Sequence, residues 1–309
     1  MPYTASNKRR VQSKMSVKLL VCTATIIICW AAQIITTAYA FSGGFTESKL
    51  HQLAMASSLS YLSLEKMASS PYYDTSNLEP LIQVTDPESE SGATIFRVLD
   101  NNDSNNQSGK QNLIVACRGS ANPKNFGTNL KFNLVPAIRL SQNNIPDNAM
   151  VHEGFQTASV GLWKELAQPL MDQMDTTTSS VIFCGHSLGA ATALLCSVHY
   201  NTMCIGPSPN IVTFGGPRLC NSRLARHIRN DALAGSTILH LVHSSDPVLA
   251  NNQQLWDKLG FENVGVELEC EPNKPVVFQD GVAPKKKSPF QFAWNIVDHC
   301  KYMVRRYVC

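Results

Sequence analysis

The sequence predicts an α/β domain built on a mostly parallel β-sheet. Strand-like and helix-like segments alternate along most of the chain, which is the pattern of repeated β-α-β units. The chain has 309 residues, of which 44% are hydrophobic, so it is long and apolar enough to bury one sizeable core. No internal repeat or interdomain linker interrupts the pattern. We therefore expect a single domain over residues 41–309.

The predicted elements follow one another in a regular order. An amphipathic helix over residues 47–62 comes first, and two strands over 93–99 and 112–118 come next. The remaining predicted elements are a helix over 155–174, a strand over 180–184, a helix over 190–200, a strand over 210–214, a helix over 222–231 and a strand over 237–243.

A polar loop separates the two early strands. It contains two glycosylation sequons, Asn102-Asp103-Ser104 and Asn106-Gln107-Ser108. Such sequons indicate an exposed loop of a secreted glycoprotein, although they also arise by chance in loops that are rich in Asn and Ser.

The first 40 residues have the pattern of a signal peptide. Residues 1–18 include five basic residues and no acid, and an uncharged, largely apolar stretch covers residues 19–40. This stretch ends in the A-x-A cleavage pattern Ala38-Tyr39-Ala40, so we expect cleavage after Ala40 and secretion or delivery to the endomembrane lumen. An uncleaved signal anchor is the first alternative, because the apolar run approaches the length that spans a bilayer. A plastid signal is the second, because Phe41 follows the A-x-A pattern.

The net charge excludes a nucleic-acid partner. The whole chain has a formal charge of +3, but its first 40 residues contain five basic residues and no acid. The mature chain is therefore close to neutral and lacks the excess of basic residues that is typical of a nucleic-acid-binding protein. The run Lys285-Lys286-Lys287 lies between prolines and is predicted to be a solvated loop.

Eight of the ten cysteines lie beyond residue 40. Cys117, Cys184 and Cys196 lie in apolar runs and are predicted to be buried thiols. A secreted context permits disulfides, and the better candidates are Cys204, Cys220, Cys270, Cys300 and Cys309. Neither a C-x-x-C pattern nor a clustered set of His and Cys is present, so we expect no metal site.

Ser187 is the strongest candidate for a reactive residue. It is the serine of Gly185-His186-Ser187-Leu188-Gly189, a G-x-S-x-G pattern that follows a strand and precedes a helix of small residues. This is the context of a nucleophile elbow, in which glycines remove Cβ atoms where the strand and the helix approach closely. A small residue in a glycine-rich bend is the alternative interpretation.

A serine hydroxyl needs a base, and the base needs an orienting acid. In this architecture the chain order is Ser, then Asp or Glu, then His. Asp246 directly follows a predicted strand, and His299 is the one histidine beyond it. An ordinary turn aspartate and an ordinary surface histidine are the alternatives. The rival acids are Asp231, Asp257, Asp280 and Asp298.

Six motifs in the right order resemble those of the class 3 lipases, a branch of the α/β-hydrolases. They are V-A-C-R-G-S at 115–120, V-H-E-G-F at 151–155, G-H-S-L-G-A at 185–190, T-F-G-G-P-R at 213–218, S-S-D-P-V at 244–248 and D-H-C-K-Y at 298–302. The resemblance implies an α/β-hydrolase fold with Ser187 as nucleophile, Asp246 as acid and His299 as base. It also implies an oxyanion hole formed by Ser120 and Leu188.

The segment after Ser120 stands where members of this family have a lid. Its apolar residues would meet substrate or a lipid–water interface, and ordinary packing of a helix on the sheet is the alternative. Asn125 and Asn129 depart from the family pattern, which has acids there. The apolar residues of the segment are Phe126, Leu130, Phe132, Leu134 and Val135.

The resemblance implies a serine carboxylic ester hydrolase without a cofactor that acts on acylglycerol lipids. A phospholipase, a galactolipase or a feruloyl-type esterase would use the same residues, and a catalytically silent lipase-like binding protein is a further alternative. Three other motif residues, His152, Arg118 and Arg218, are interpreted as structural rather than chemical.

Overall fold

The structure is a computed structural model that describes residues 45–70, 73–99, 110–119, 133–140, 145–243, 246 and 253–270. The chain divides into two units, Met1–Thr46 and Glu47–Cys309, and the elements given below belong to the second. Within the described ranges, no helix is both long enough and apolar enough to cross a bilayer.

A seven-stranded sheet forms the centre of the second unit. Its strands lie in the order β1-β2-β3-β6-β7-β8-β9, so consecutive strands are neighbours except where the chain leaves the sheet after β3. The strands are β1 (Leu78–Thr85), β2 (Gly92–Val98), β3 (Gln111–Arg118), β6 (Thr178–His186), β7 (Asn210–Phe214), β8 (Ile238–His243) and β9 (Val266–Cys270).

The sheet is mostly parallel, as the sequence predicts. In the described part of the sheet, β3, β6, β7, β8 and β9 pair in parallel, whereas β1, β2 and β3 pair as antiparallel neighbours at one edge. Strands β1 and β9 extend the sheet beyond the strands that the sequence analysis identified. Parallel neighbours place their carboxyl ends at one common edge, where ligand-binding groups of α/β proteins gather.

Helices cover the sheet. The predicted helices are observed, and the third and fourth are the longest. The helices are α1 (Glu47–Leu59), α2 (Leu64–Met67), α3 (Glu153–Gln173), α4 (Leu188–Thr202), α5 (Ser222–His227) and α6 (Gln253–Lys258), and a π-helical segment, Ile228–Ala232, continues α5.

Helix α3 is amphipathic and α4 is not. In α3 the buried apolar side chains recur at helical spacing, at Phe155, Leu162, Leu166 and Leu170, which turns one stripe of the helix towards the core. In α4 the residues from Gly189 to Tyr200 are all buried, so this helix is enclosed on its whole circumference. Small residues in its first turns permit that enclosure.

The core lies between the sheet and helices α3 and α4. Its members include Val115 and Phe183 from the sheet and Leu166 and Leu194 from the helices, and each of these is fully buried. Burial of such a side chain contributes about 1.5 to 3 kcal/mol to the hydrophobic driving force. The alternating strands and helices of the sequence thus form a sheet with a layer of helices packed on it.

A two-stranded antiparallel sheet lies beside α3. It consists of β4 (Leu134–Pro136) and β5 (Met150–His152), and β5 leads directly into the helix. This hairpin is hydrogen-bonded to the chain that follows β7. The backbone N–H of His152 donates to the carbonyl of Leu219 at 2.8 Å.

The cysteines of the described part of the chain are free thiols. Cys117, Cys184 and Cys196 are buried, which confirms the prediction for these three. Cys204 is exposed and Cys220 is buried, and neither is in a disulfide, so the structure does not support the expectation that these two are bridged. Cys220 lies between Val151 and Glu262 in isolated β-bridges. Cys300 and Cys309 lie outside the described residues, and the side chain of Cys270 is also not described.

Candidate active site

Ser187 occupies a sharp turn between strand β6 and helix α4. Its backbone has φ 59° and ψ −128°, a region that residues with a side chain rarely adopt. Its N–H donates to the carbonyl of Phe214 at 3.0 Å, and its carbonyl accepts from the N–H of Ala190 at 3.0 Å. Holding a serine in this conformation costs on the order of 1 to 3 kcal/mol. The strand, sharp turn and helix that the sequence predicts around Ser187 are therefore present.

Two glycines flank the turn because other backbone atoms occupy the space of their missing side chains. A Cβ at Gly185 would lie within 3.0 Å of the carbonyl oxygens of Gly189 and Cys117. A Cβ at Gly189 would lie within 3.0 Å of the carbonyl of Cys117 and the N–H nitrogen of Gly119. Backbone atoms cannot rotate away as a flexible side chain can, so the turn requires glycine on both sides of the serine.

Asp246 is fully buried and lies at the same edge of the sheet as Ser187. It comes shortly after the end of β8, and β8 is separated from β6 by β7 alone. With neighbouring strands about 4.8 Å apart, the ends of β6 and β8 are roughly 10 Å apart. An imidazole between the two side chains would span that separation.

Two of the four rival acids bond to other side chains. Asp257 bonds to Arg218 at 2.6 Å, with the aspartate side chain 59% exposed. Asp231 bonds to His227 at 3.0 Å, one helical turn away on the same helical segment. Asp280 and Asp298 lie outside the described residues.

Several predicted site residues also lie outside the described part of the chain. They are His299, Ser120, Phe126, Leu130 and Phe132. Leu188 is described and is the first residue of α4, so its N–H belongs to the first turn, where helical N–H groups have no acceptor within the helix. Leu134 and Val135 are half-buried in β4 rather than in a helix, and they pair with His152 and Val151.

Tyr61 reaches the elbow from outside every predicted motif. It lies two residues after α1, and its hydroxyl accepts from the N–H of Gly119 at 3.1 Å. The same oxygen is 3.3 Å from Nδ1 of His186 and 3.4 Å from the carbonyl oxygen of His186, to which it donates. Tyr61 has no local signal in the sequence, because a tyrosine near the end of the predicted helix over residues 47–62 cannot be distinguished from a core residue by pattern.

His152 is a structural residue, as the sequence analysis proposed. It is the N-cap of α3, and its Nδ1 accepts from the N–H groups of Gly154 and Phe155 at 3.1 and 3.4 Å. The imidazole also stacks on the Phe155 ring, with the ring centroids 4.0 Å apart. Burial lowers the pKa of His152 to about 4, and the neutral ring with its proton on Nε2 is the form that can accept at Nδ1.

The two motif arginines join loops. Nη2 of Arg118 donates to the carbonyl of Glu90 at 2.9 Å, which ties the end of β3 to the β1–β2 turn. Arg218 bonds to the carboxylate of Asp257 and to the carbonyl of Phe261, which ties the loop after β7 to α6 and the segment that follows it. Both interactions agree with the structural interpretation of these residues.

No group of three or more His, Cys, Asp or Glu side chains able to hold a metal ion occurs among the described residues. The chemistry that the described edge offers is that of a strained serine, a buried carboxylate and first-turn N–H groups. This set matches acyl transfer through a serine nucleophile, provided that a base lies between the serine and the acid.

Comparison with known proteins finds similarity to lipases and phospholipases. A family model described as Lipase (class 3) matches residues 114–251. Phospholipase A1-II 1 of Oryza sativa subsp. indica is 27% identical over 186 residues, which cover 54% of this chain and 44% of the relative. The chain thus spans less than half the length of this curated relative.

Solved structures of fungal lipases have the same fold. Lip2 lipase from Yarrowia lipolytica aligns with a TM-score of 0.62 at 19% identity, covering 84% of this chain and 94% of that one. Rhizomucor miehei triacylglyceride lipase aligns with a TM-score of 0.57 at 21% identity, covering 72% and 78%. The fold of this chain is therefore that of an α/β-hydrolase, and its residues 114–251 match the model of the class 3 lipase family.

Proposed function

We propose that this protein is a serine carboxylic ester hydrolase that acts on acylglycerol lipids. The observation that carries the proposal is the left-handed backbone of Ser187 at the turn from β6 to α4. A strained serine between two obligatory glycines is a costly arrangement, and such strain is concentrated at functional sites. The match to the class 3 lipase model over residues 114–251 supports the same chemistry.

The proposed reaction proceeds through an acyl-enzyme. Oγ of Ser187 attacks the ester carbonyl while His299 removes the hydroxyl proton, and the tetrahedral intermediate expels the alcohol after His299 returns that proton to it. A water molecule, deprotonated by the same imidazole, then releases the carboxylic acid and restores the serine. Asp246 holds the imidazole in the required tautomer. The steps use side chains, backbone and water.

The negative charge of each tetrahedral intermediate requires hydrogen-bond donors. The N–H of Leu188 in the first turn of α4 is one proposed donor, and Ser120, which directly follows Gly119 at the end of β3, is the other. Each preorganised donor of this kind contributes about 3 kcal/mol to the stabilisation of the transition state.

Covalent labelling tests the proposal. A fluorophosphonate probe should modify the full-length protein at Ser187, and Ser187→Ala should lose both labelling and ester hydrolysis. Ser197→Ala is the matched control, because Ser197 is buried in the same helix and bonds only to the carbonyl of Leu194 at 2.7 Å among its described contacts. Equal labelling of wild type and Ser187→Ala would refute the assignment, and a wild type that neither labels nor hydrolyses any ester would favour a silent binding protein.

A phospholipase of the A1 type is the second candidate. It is favoured by the curated relative from Oryza sativa, which has the name phospholipase A1-II 1. Initial rates on emulsified triacylglycerol, phosphatidylcholine vesicles, galactolipid and soluble feruloyl or short-chain esters would separate the candidates. Release of the sn-1 acyl chain from phospholipid at a higher rate than from triacylglycerol would establish the phospholipase.

The segment after Ser120 is proposed to meet the lipid–water interface. Its apolar side chains include Phe126, Leu130 and Phe132 and continue to Leu134 at the start of β4. A true lipase would show a jump in rate when the substrate concentration exceeds its solubility limit. Replacement of Phe126 and Phe132 by serine should remove that jump while leaving hydrolysis of soluble esters unchanged.

Entry into the secretory pathway is proposed from residues 1–40, with a signal anchor and a plastid signal as the alternatives. N-terminal sequencing of the mature protein should begin at Phe41. A mature protein that retains residues 19–40 would indicate the anchor. Treatment with a glycosidase should lower the apparent mass if Asn102 or Asn106 is glycosylated.

A further inference from the structure

The hydroxyl of Tyr61 joins the two halves of the site. Gly119, whose N–H it accepts, directly precedes Ser120, the proposed oxyanion donor. His186, which it contacts through both the ring and the carbonyl, directly precedes Ser187. One side chain therefore bonds to the residue before the proposed oxyanion donor and to the residue before the nucleophile.

We propose that Tyr61 is a positioning residue of the reaction, which holds the backbone at Gly119 against the turn that carries the nucleophile Ser187. The proposal rests on the proposed ester hydrolysis and adds a residue from outside the segment that matches the family model, which begins at residue 114. Tyr61 lies just after α1, and α1 packs against strands β3 and β6.

The valence of the phenolic oxygen fits the three contacts. A tyrosine hydroxyl has one proton to donate and two lone pairs that accept. When the proton goes to the carbonyl of His186, the two lone pairs accept from the N–H of Gly119 and from Nδ1–H of His186. All three hydrogen-bonding positions are then used, and each acts on backbone or ring atoms adjacent to the site.

The Tyr61 hydroxyl lies in the space that a side chain at Gly119 would fill. A Cβ at Gly119 would lie within 3.0 Å of both the Tyr61 hydroxyl and the carbonyl oxygen of His186. The glycine thus admits the phenol between β3 and the elbow. The N–H of Gly119 belongs to the peptide between Arg118 and Gly119, and its hydrogen bond to the Tyr61 hydroxyl ties that peptide to the elbow.

A displacement of the oxyanion donor affects the transition state more than the bound ester. The donor must meet the oxygen of the tetrahedral intermediate, whose charge develops only as the reaction proceeds. Misplacement of a reacting group by about 1 Å can lower a rate by about 100-fold. Removal of the Tyr61 hydroxyl should therefore lower kcat and leave KM nearly unchanged.

Tyr61→Phe tests the proposal, because it removes the hydroxyl and retains the ring. On a soluble ester that the wild type hydrolyses, we expect kcat to fall about 10-fold to 100-fold, with KM changed by less than about threefold. The rate of labelling by a fluorophosphonate should fall in parallel, because the phosphoryl oxygen occupies the same donors. Tyr200→Phe is the matched control, since its hydroxyl bonds to the carbonyl of Pro207 at 3.2 Å in the last turns of α4.

The outcomes separate this proposal from the one on which it rests. A wild type that hydrolyses esters, together with a Tyr61→Phe variant whose kcat stays within twofold of wild type, would overturn the role of Tyr61 and leave the hydrolase intact. Equal losses of kcat in Tyr61→Phe and Tyr200→Phe would indicate a merely structural effect and overturn it as well. A wild type without hydrolysis or labelling at Ser187 would refute both proposals.

Discussion

The carbonyl oxygen of Cys117 on β3 lies against Gly189 in the first turn of α4, at a place where a Cβ on the glycine would stand less than 3.0 Å from it. This contact brings the end of β3 next to the start of the helix that follows Ser187, the proposed nucleophile. It also brings Gly119, which precedes the proposed oxyanion donor, to the elbow. The site therefore depends on the approach of two backbones rather than of two side chains.

Gly189→Ala should destabilise the fold for this reason. In an exposed helix interior this change is favourable by about 1 kcal/mol, but here the new methyl group meets backbone atoms that cannot move aside, so the net effect should be a loss of about 1 to 3 kcal/mol. Chemical denaturation measures the difference. Gly154→Ala is the control, because Gly154 is also the second residue of a helix and its Cβ would lie 3.3 Å from the nearest ring atom. Equal stabilities of the two variants would contradict the steric argument.

Asp246→Asn should lower kcat by about 1000-fold or more without unfolding the protein. The amide has nearly the same volume as the carboxylate, but it cannot stabilise an imidazolium or select the required imidazole tautomer. Steady-state kinetics on a soluble ester would measure the loss. Asp257→Asn, which removes only an exposed ion pair with Arg218, should retain kcat within about twofold. Full activity of Asp246→Asn would show that another acid orients the imidazole base.

The fold should lose stability in acid because three histidines are buried in their neutral form. Burial lowers the pKa values of His152, His199 and His240 to about 4, from an unfolded value of 6.5. The unfolded chain thus binds more protons between these values, so the stability is complete above pH 6.5 and is lost as the pH falls towards 4. Each histidine contributes a slope of about 1.4 kcal/mol per pH unit within that window.

A single replacement isolates one of these contributions. His199 stacks on Trp163 with ring centroids 6.0 Å apart, and phenylalanine retains a stacked ring that does not titrate. Urea denaturation of His199→Phe at pH 7 and pH 5 should show a smaller loss of unfolding free energy than wild type, by about 1 to 2 kcal/mol. An unchanged pH dependence would show that His199 binds no additional proton on unfolding.

The thiols of the described residues should differ sharply in reactivity. Cys204 is exposed, whereas burial raises the pKa of Cys184 to about 12 and also raises that of Cys220. The pKa of Cys117 is raised by its hydrogen bond with Cys196 and by burial. Since the thiolate is the reactive form, maleimide should label Cys204 in the native protein and the other three only after denaturation. Peptide mapping by mass spectrometry checks this, and native labelling of Cys184 would contradict the burial.

The sequence by itself determined the local parts of the site. The strand before Ser187, the glycines on either side of it and the small residues after it specify the elbow, because each acts on neighbours within a few positions. Helical spacing at Phe155, Leu162 and Leu166 predicted the buried stripe of α3 for the same reason. Alternating elements also predicted the parallel sheet, since parallel strands need a helical crossover between them.

Only the tertiary structure decided which distant groups meet. The contact of Tyr61 with His186 joins residues 125 positions apart in the sequence. Cys220 shows the same limit, because the predicted secreted context made it a disulfide candidate, whereas the fold buries it as a thiol between Val151 and Glu262. Strand order and register arise from the packing of whole faces against one another, and a residue's immediate neighbours in sequence carry little of that information.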